Sequence, residues 1–171
     1  MKLSGKKVAI LLEEGFEDLE FWVPLMRLQE EGAQVIVVAP KLATYGGKGG
    51  LEARADAAAE AVSATDFEAL VVPGGWAPDK LRRYPAIKNL VREMNDQGKI
   101  VAAICHGGLV LISAGIVAGR KATGSEGIKD DLVNAGAEWL DEPAFRDGNL
   151  VWGRVVKDIP DFCRELVRAL E

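Results

Sequence analysis

The chain has 171 residues, 26 acidic against 21 basic side chains, and 49% hydrophobic residues, a composition that suits one globular domain over residues 1–171. A formal charge of −5 argues against a nucleic-acid surface, which needs a clustered Lys/Arg excess. No apolar run approaches the ~20 residues of a membrane span, and no basic start leads into a long apolar stretch, so neither membrane contact nor signal peptide is predicted.

In chain order, Lys7 to Leu12 reads as a strand buried on both faces. Leu19, Trp22, Val23 and Met26 follow at helical spacing as the apolar stripe of a helix closed near Gly32. Pro24 inside it predicts a kink or a late start. Val35 to Ala39 comes next as a parallel strand, completing a βαβ unit. Tyr45-Gly-Gly-Lys-Gly-Gly50 is too glycine-rich for a helix and reads as a loop feeding a short hairpin. Ala69 to Pro73 is a buried strand ending in Gly74-Gly75. Pro85 starts a helix burying Ile87, Leu90, Val91 and Met94, with Gly98 as its cap. Ile100 to Ile104 is a further buried strand, running almost directly into a helix from Gly107 to Ala114. Ile128 to Val133 is a short helix ended by Gly136. Two brief strands, Glu138–Leu140 and Asn149–Trp152, flank the turn residues Arg146 to Asn149. The last helix carries Ile159, Phe162, Cys163, Leu166, Val167 and Leu170 as its stripe. This alternation predicts an α/β fold: a three-layer α/β/α sandwich with a mostly parallel sheet.

In such sheets, ligands bind beyond the carboxyl ends of the strands. Ala103-Ile-Cys-His-Gly107, between a buried strand and a helix, has the small-x-nucleophile-x-small form of a nucleophile elbow, with Cys for Ser. A thiol at a helix start is expected to have a lowered pKa. The competing reading is a buried structural cysteine. His106 is the one histidine in the chain, so a His-rich metal site or an HExxH motif is excluded and any imidazole base must be His106. The backbone N–H of His106 and one from Gly74-Gly75 together suggest an oxyanion site, although a tight turn explains those glycines equally well. Of the carboxylates Glu13, Glu14, Glu17, Asp18 and Glu20, most read as helix-start acids. Glu17 and Glu20, three apart, share a face if helical, and a protonated carboxyl directed at Cys105 would hydrogen-bond its thiolate. Gly46–Gly50 matches no phosphate-loop pattern. Ser125 reads as a turn or cap residue and Cys163 as core. Two cysteines without a CxxC predict a reducing, cytoplasmic setting rather than a disulfide scaffold.

The motifs Gly15-Phe-Glu-Asp-Leu-Glu20, Pro73-Gly-Gly-Trp-Ala-Pro78, Ala103-Ile-Cys-His-Gly107, Ile112-Ser-Ala-Gly115, Gly127-Ile-Lys-Asp-Asp131, Asn134-Ala-Gly136 and Asp147-Gly-Asn149 occur in one order along almost the whole chain. With them the sequence resembles the PfpI-type intracellular cysteine proteases and deglycases of the DJ/PfpI superfamily, which share the flavodoxin-like, class I glutamine amidotransferase-like fold. The resemblance implies Cys105 as nucleophile, His106 as its imidazole partner and Glu20 as the carboxyl on the thiol. Asp79 stands where these proteins have a Glu that completes a triad from a neighbouring subunit, which implies a dimer or hexamer with the site near the interface. It implies a hydrolase of glycated or glyoxal- and methylglyoxal-type carbonyls in stress defence, needing neither cofactor nor metal. A peptidase using the same site, and a non-enzymatic redox sensor oxidised at Cys105, are the alternatives. Four departures stand out: Asp79 is one methylene shorter than Glu, Gly49 replaces a histidine, Gly124-Ser-Glu126 replaces Ser-Tyr-Pro or Ser-Trp-Pro, and Trp152-Gly-Arg-Val-Val156 replaces a Ser-Arg-x-Pro stretch.

Overall fold

Short β-branched runs alternate with amphipathic stretches, and the computed structural model, which describes residues Met1–Glu171, turns that alternation into strands and helices. The first half contains β1 (Lys7–Leu11), α1 (Asp18–Glu30), β2 (Gln34–Ala39), β3 (Thr44–Gly46), β4 (Glu52–Arg54), β5 (Ala57–Ala58), β6 (Ala69–Val72), α2 (Ala77–Leu81) and α3 (Pro85–Asp96). The second half contains β7 (Ile100–Ile104), α4 (Gly108–Ala114), β8 (Lys121–Ala122), α5 (Lys129–Asn134), β9 (Glu138–Trp139), β10 (Ala144–Asp147), β11 (Leu150–Gly153) and α6 (Ile159–Leu170). Seven strands form one sheet in the order β10-β11-β7-β6-β1-β2-β5. Every pairing in it is parallel except β10 with β11. Helices α1 and α6 cover one face, and α2 to α5 the other. The sandwich therefore has three layers. Its core is a continuous cluster of 53 buried residues, and no helix is long and apolar enough to cross a membrane.

The expected stripes of α3 and α6 are buried residue for residue. In α1 the expected stripe is wrong. Leu19, Val23 and Met26 are exposed, and the core face is Phe21, Pro24, Leu25 and Leu28. The helix is apolar on two sides, so spacing alone does not choose between them. It also starts at Asp18 and runs unbroken through Pro24, so there is no late start. Near the end, the turn at Arg146 to Asn149 joins β10 to β11, while Glu138–Trp139 pairs with β8 in a separate ribbon. The glycine-rich segment is itself the tip of the β3–β4 hairpin. That tip is pinned by Asp18, whose carboxylate accepts the N–H groups of Gly49 and Leu51, each at 2.9 Å. A Cβ at Gly47 would overlap the same carboxylate, so the glycine there admits the anchor.

Candidate active site

Strands β1, β6 and β7 lie side by side and parallel, so the loops after their carboxyl ends meet at one edge. They bring together Glu17 and Glu20, Gly74 and Gly75, and Cys105 and His106. Cys105 has φ +59° and is the only non-glycine residue with positive φ, the sharp turn expected of an elbow. The flanking small residues have a direct reason. A Cβ at Gly107 would overlap the Val72 carbonyl oxygen and lie 3.4 Å from the Ala103 Cβ, so α4 could not start this close to the sheet with a larger residue there.

Gly74 is where the parts converge. A Cβ on it would overlap Glu20 Oε1 and lie 3.0 Å from both Cys105 Cβ and the His106 backbone nitrogen. Gly74→Ala should therefore push the carboxyl and the thiol apart. We expect at least a ~10²-fold slower alkylation of Cys105 by iodoacetamide and a loss of about 1–3 kcal/mol in urea melts. An unchanged alkylation rate would show that the close approach has no chemical role.

Glu20 is fully buried. Its Oε1 accepts the Gly74 N–H at 3.0 Å, and its Oε2 satisfies no hydrogen bond in the resting chain. Burial, reinforced by the charge of Glu17, pushes its pKa up to about 8, so it carries its proton at neutral pH. The Cys105 thiol lies beside this carboxyl and is pushed up to about 12 by burial, with the Glu20 charge adding to it. The lowered thiol expected from a helix start is thus not what the fold provides. A 3₁₀ turn over Cys105–Gly107 separates the sulfur from α4, and desolvation outweighs the dipole. Two groups pull the other way, the His106 backbone N–H and the Ser125 hydroxyl. The part of the rise due to Glu20 is absent while that carboxyl is protonated.

His106 Nδ1 lies 3.4 Å from Cys105 Sγ, within hydrogen-bond reach of sulfur. Burial and the nearby Lys48 charge lower its pKa, so the imidazole is neutral and able to take the thiol proton. Its Nε2 has no hydrogen-bond partner in the chain. Asp79 lines the same cleft, but its carboxylate pairs with Arg83 and is 61% exposed, so within one chain it does not reach His106. Glu17 is the N-cap of α1 and accepts the Glu20 N–H at 2.9 Å, so it works on the helix start and on the charge state of Glu20. Of the two glycines, Gly74 has its N–H committed to Glu20, whereas the Gly75 N–H has no acceptor in the chain. Gly75 is thus the better oxyanion donor.

Ser125, expected as a turn or cap residue, also lies at the site. It occupies an N-cap position but makes no cap bond. Its N–H donates to the Cys105 carbonyl at 3.2 Å, and its hydroxyl acts on the thiol. Gly124 permits this, since a Cβ there would lie 2.5 Å from the Cys105 carbonyl oxygen. Nothing local in Gly124-Ser-Glu-Gly127 signals it; only the return of the chain beside β7 does. The mouth is a cleft of about 440 Å³ lined by Lys48, Gly75, Trp76, Asp79, Lys80, His106 and Leu109. A larger cavity of about 570 Å³ lies behind Gly124 and Glu126 and does not include Cys105 or His106. No three His, Cys, Asp or Glu side chains gather as metal ligands.

The chain as a whole is similar to known proteins. Residues 6–169 match the DJ-1/PfpI family. The chain belongs to the DJ-1/PfpI family. A deglycase of Pyrococcus horikoshii is 43% identical over 165 residues, covering 96% of this chain and 99% of that protein. The protein/nucleic acid deglycase 2 of Escherichia coli is 38% identical, with 97% and 98% covered. Among solved structures, a two-domain Anabaena variabilis protein with DJ-1/ThiJ/PfpI-like and ferritin-like domains superposes with a TM-score of 0.95 at 43% identity. It is matched over 96% of this chain and 48% of its own, so this chain spans about half of that protein. Deglycase-named members make the DJ-1/PfpI relatives of this chain a family of enzymes.

Proposed function

We propose that this protein is a Cys105-dependent hydrolase of small glycated or aldehyde carbonyls of the glyoxal and methylglyoxal type. The observation that carries the reading is the strained Cys105 turn, with a neutral imidazole nitrogen 3.4 Å from the sulfur and a protonated Glu20 beside it. As the sulfur adds to a carbonyl carbon, its proton passes to His106 Nδ1 and the C=O π electrons move onto oxygen. The free Gly75 N–H, in the lining of the same cleft, is the donor we assign to that developing charge, and His106 returns the proton to give a hemithioacetal. For methylglyoxal the overall change is addition of water to give lactate. The aldehyde carbon is oxidised and the ketone carbon reduced within one molecule, so no outside electrons enter. Relatives named deglycase support the same substrate class. A free nucleophilic thiol suits a reducing cytoplasm.

His106 Nε2 lacks an acceptor within the chain and Asp79 is exposed, so we place the working site at a contact between copies, with Asp79 of a second copy orienting the ring. The test is a substrate panel of methylglyoxal, a methylglyoxal-treated peptide and an unmodified fluorogenic peptide. Wild type should form lactate and release free amine, and Cys105→Ala should be at least ~10⁴-fold slower. Equal activity in Cys105→Ala would overturn the reading. Turnover of the unmodified peptide alone would transfer the site to proteolysis.

A further inference from the structure

The cleft in front of His106 is cationic, although the chain as a whole has a charge of −5. Of its lining residues, Lys48 and Lys80 carry ammonium groups, and the one carboxylate, Asp79, is paired with Arg83. Lys48 is held there by construction. It sits at the β3–β4 tip pinned by Asp18, its backbone N–H donates to the Phe16 carbonyl at 2.9 Å, and its Nζ lies 5.2 Å from the centre of the Trp76 ring. Lys80 Nζ reaches only a backbone oxygen, that of Glu14, at 3.4 Å. Neither lysine has a carboxylate partner. The acids nearby are otherwise engaged. Glu17 is turned into the α1 N-terminus, Asp18 holds the hairpin tip, the Glu14 carboxylate accepts the Gly46 N–H at 2.9 Å, and Glu20 is neutral.

We infer that Lys48 and Lys80 form an anion subsite at the mouth of the cleft in front of His106, favouring, among the small carbonyl substrates, those that bear a carboxylate over neutral ones. This rests on the carbonyl chemistry proposed above. Two separate point charges over a small cleft suit a monoanion. A phosphate would want converging backbone N–H groups. The start of α2 offers instead Pro78, which has no N–H, and the Asp79 carboxylate. Should Asp79 of a second copy pair with His106, it brings one carboxylate against two ammonium groups, and a net positive charge remains at the entrance. An ammonium pair within a few ångströms of an incoming carboxylate, walled by Trp76 and Leu109, is worth on the order of a tenfold preference at low salt.

Alkylation of Cys105 tests this without requiring turnover. In both reagents the sulfur displaces iodide, forming one C–S bond, and iodoacetate differs from iodoacetamide chiefly in its charge. The rate ratio, iodoacetate over iodoacetamide, is read from the Cys105 peptide by mass spectrometry and divided by the ratio for N-acetylcysteinamide. We expect a normalised ratio of about 10 near ~20 mM salt, falling towards 1 in ~1 M salt, where the screening length is ~3 Å. The Lys48→Gln/Lys80→Gln double variant should bring it towards 1 at low salt. A normalised ratio at or below 1 in wild type, or one that ignores both salt and the double substitution, would overturn the inference. A high, salt-sensitive ratio in a protein that makes no lactate would sustain the anion subsite while removing the carbonyl hydrolase reading.

Discussion

Cys105→Gly is expected to be inactive yet more stable than Cys105→Ala by about 1 kcal/mol, the reverse of the usual order for these two residues. In ordinary right-handed or extended backbone, alanine is the more stable by roughly 0.5–1 kcal/mol, because glycine loses more freedom on folding. Cys105 is at φ +59°, where an L side chain costs on the order of 1–2 kcal/mol. Alanine retains that cost and glycine relieves it. Both variants lose the sulfur, so both should fall at least ~10⁴-fold in lactate formation. Equilibrium urea unfolding of the two variants at one pH gives the comparison directly. If alanine proved the more stable, the turn at Cys105 would be relaxed, and the case for an elbow that holds its nucleophile under strain would fail.

What the sequence revealed and what it concealed follow from the range of the interactions. The βαβ alternation, the stripes of α3 and α6, and the Ala103–Gly107 elbow are local patterns, each set by a few neighbouring residues. The fold class could be read from them. The side of α1 that faces the core could not, since Phe21 and Leu25 compete there with Leu19 and Val23 and only the packing of α1 against α6 and β2 decides. Within the site, Cys105 and His106 were legible because adjacency in sequence became adjacency in space. The roles of Ser125 and Lys48 were not. Each reaches the site from a loop whose path depends on distant anchors, the Cys105 carbonyl for Ser125 and the Asp18 carboxylate for the Lys48 tip. The ionisation state of the thiol is hidden in the sequence for a related reason. Sequence displays a helix start but not the desolvation that opposes it.

Glu20→Gln should flatten two pH dependences at once. In the unfolded chain a glutamate ionises near its ordinary 4.5, whereas in the fold Glu20 holds its proton to about 8. Between those values the folded state carries one proton more than the unfolded one, so this group makes stability fall as pH rises. At ~1.4 kcal/mol per pH unit the fall reaches at most about 5 kcal/mol by pH 8, the cost of a carboxylate charge enclosed beside the sulfur. Glutamine carries no such proton, so the variant's advantage over wild type should grow from pH 5 to pH 8 in urea melts. Taking the difference between the two proteins cancels the other titrating groups, including His106, whose lowered pKa gives the opposite slope near neutrality. The second dependence is chemical. Above about pH 8 wild-type Glu20 becomes an anion next to the thiol, raising the Cys105 pKa further and opposing nucleophilic attack. The iodoacetamide rate at Cys105 should therefore climb less steeply with pH above 8 in wild type than in Glu20→Gln. Parallel alkylation profiles together with parallel stability curves would mean that Glu20 is ionised throughout this range, and the neutral carboxyl beside the nucleophile would have to be given up.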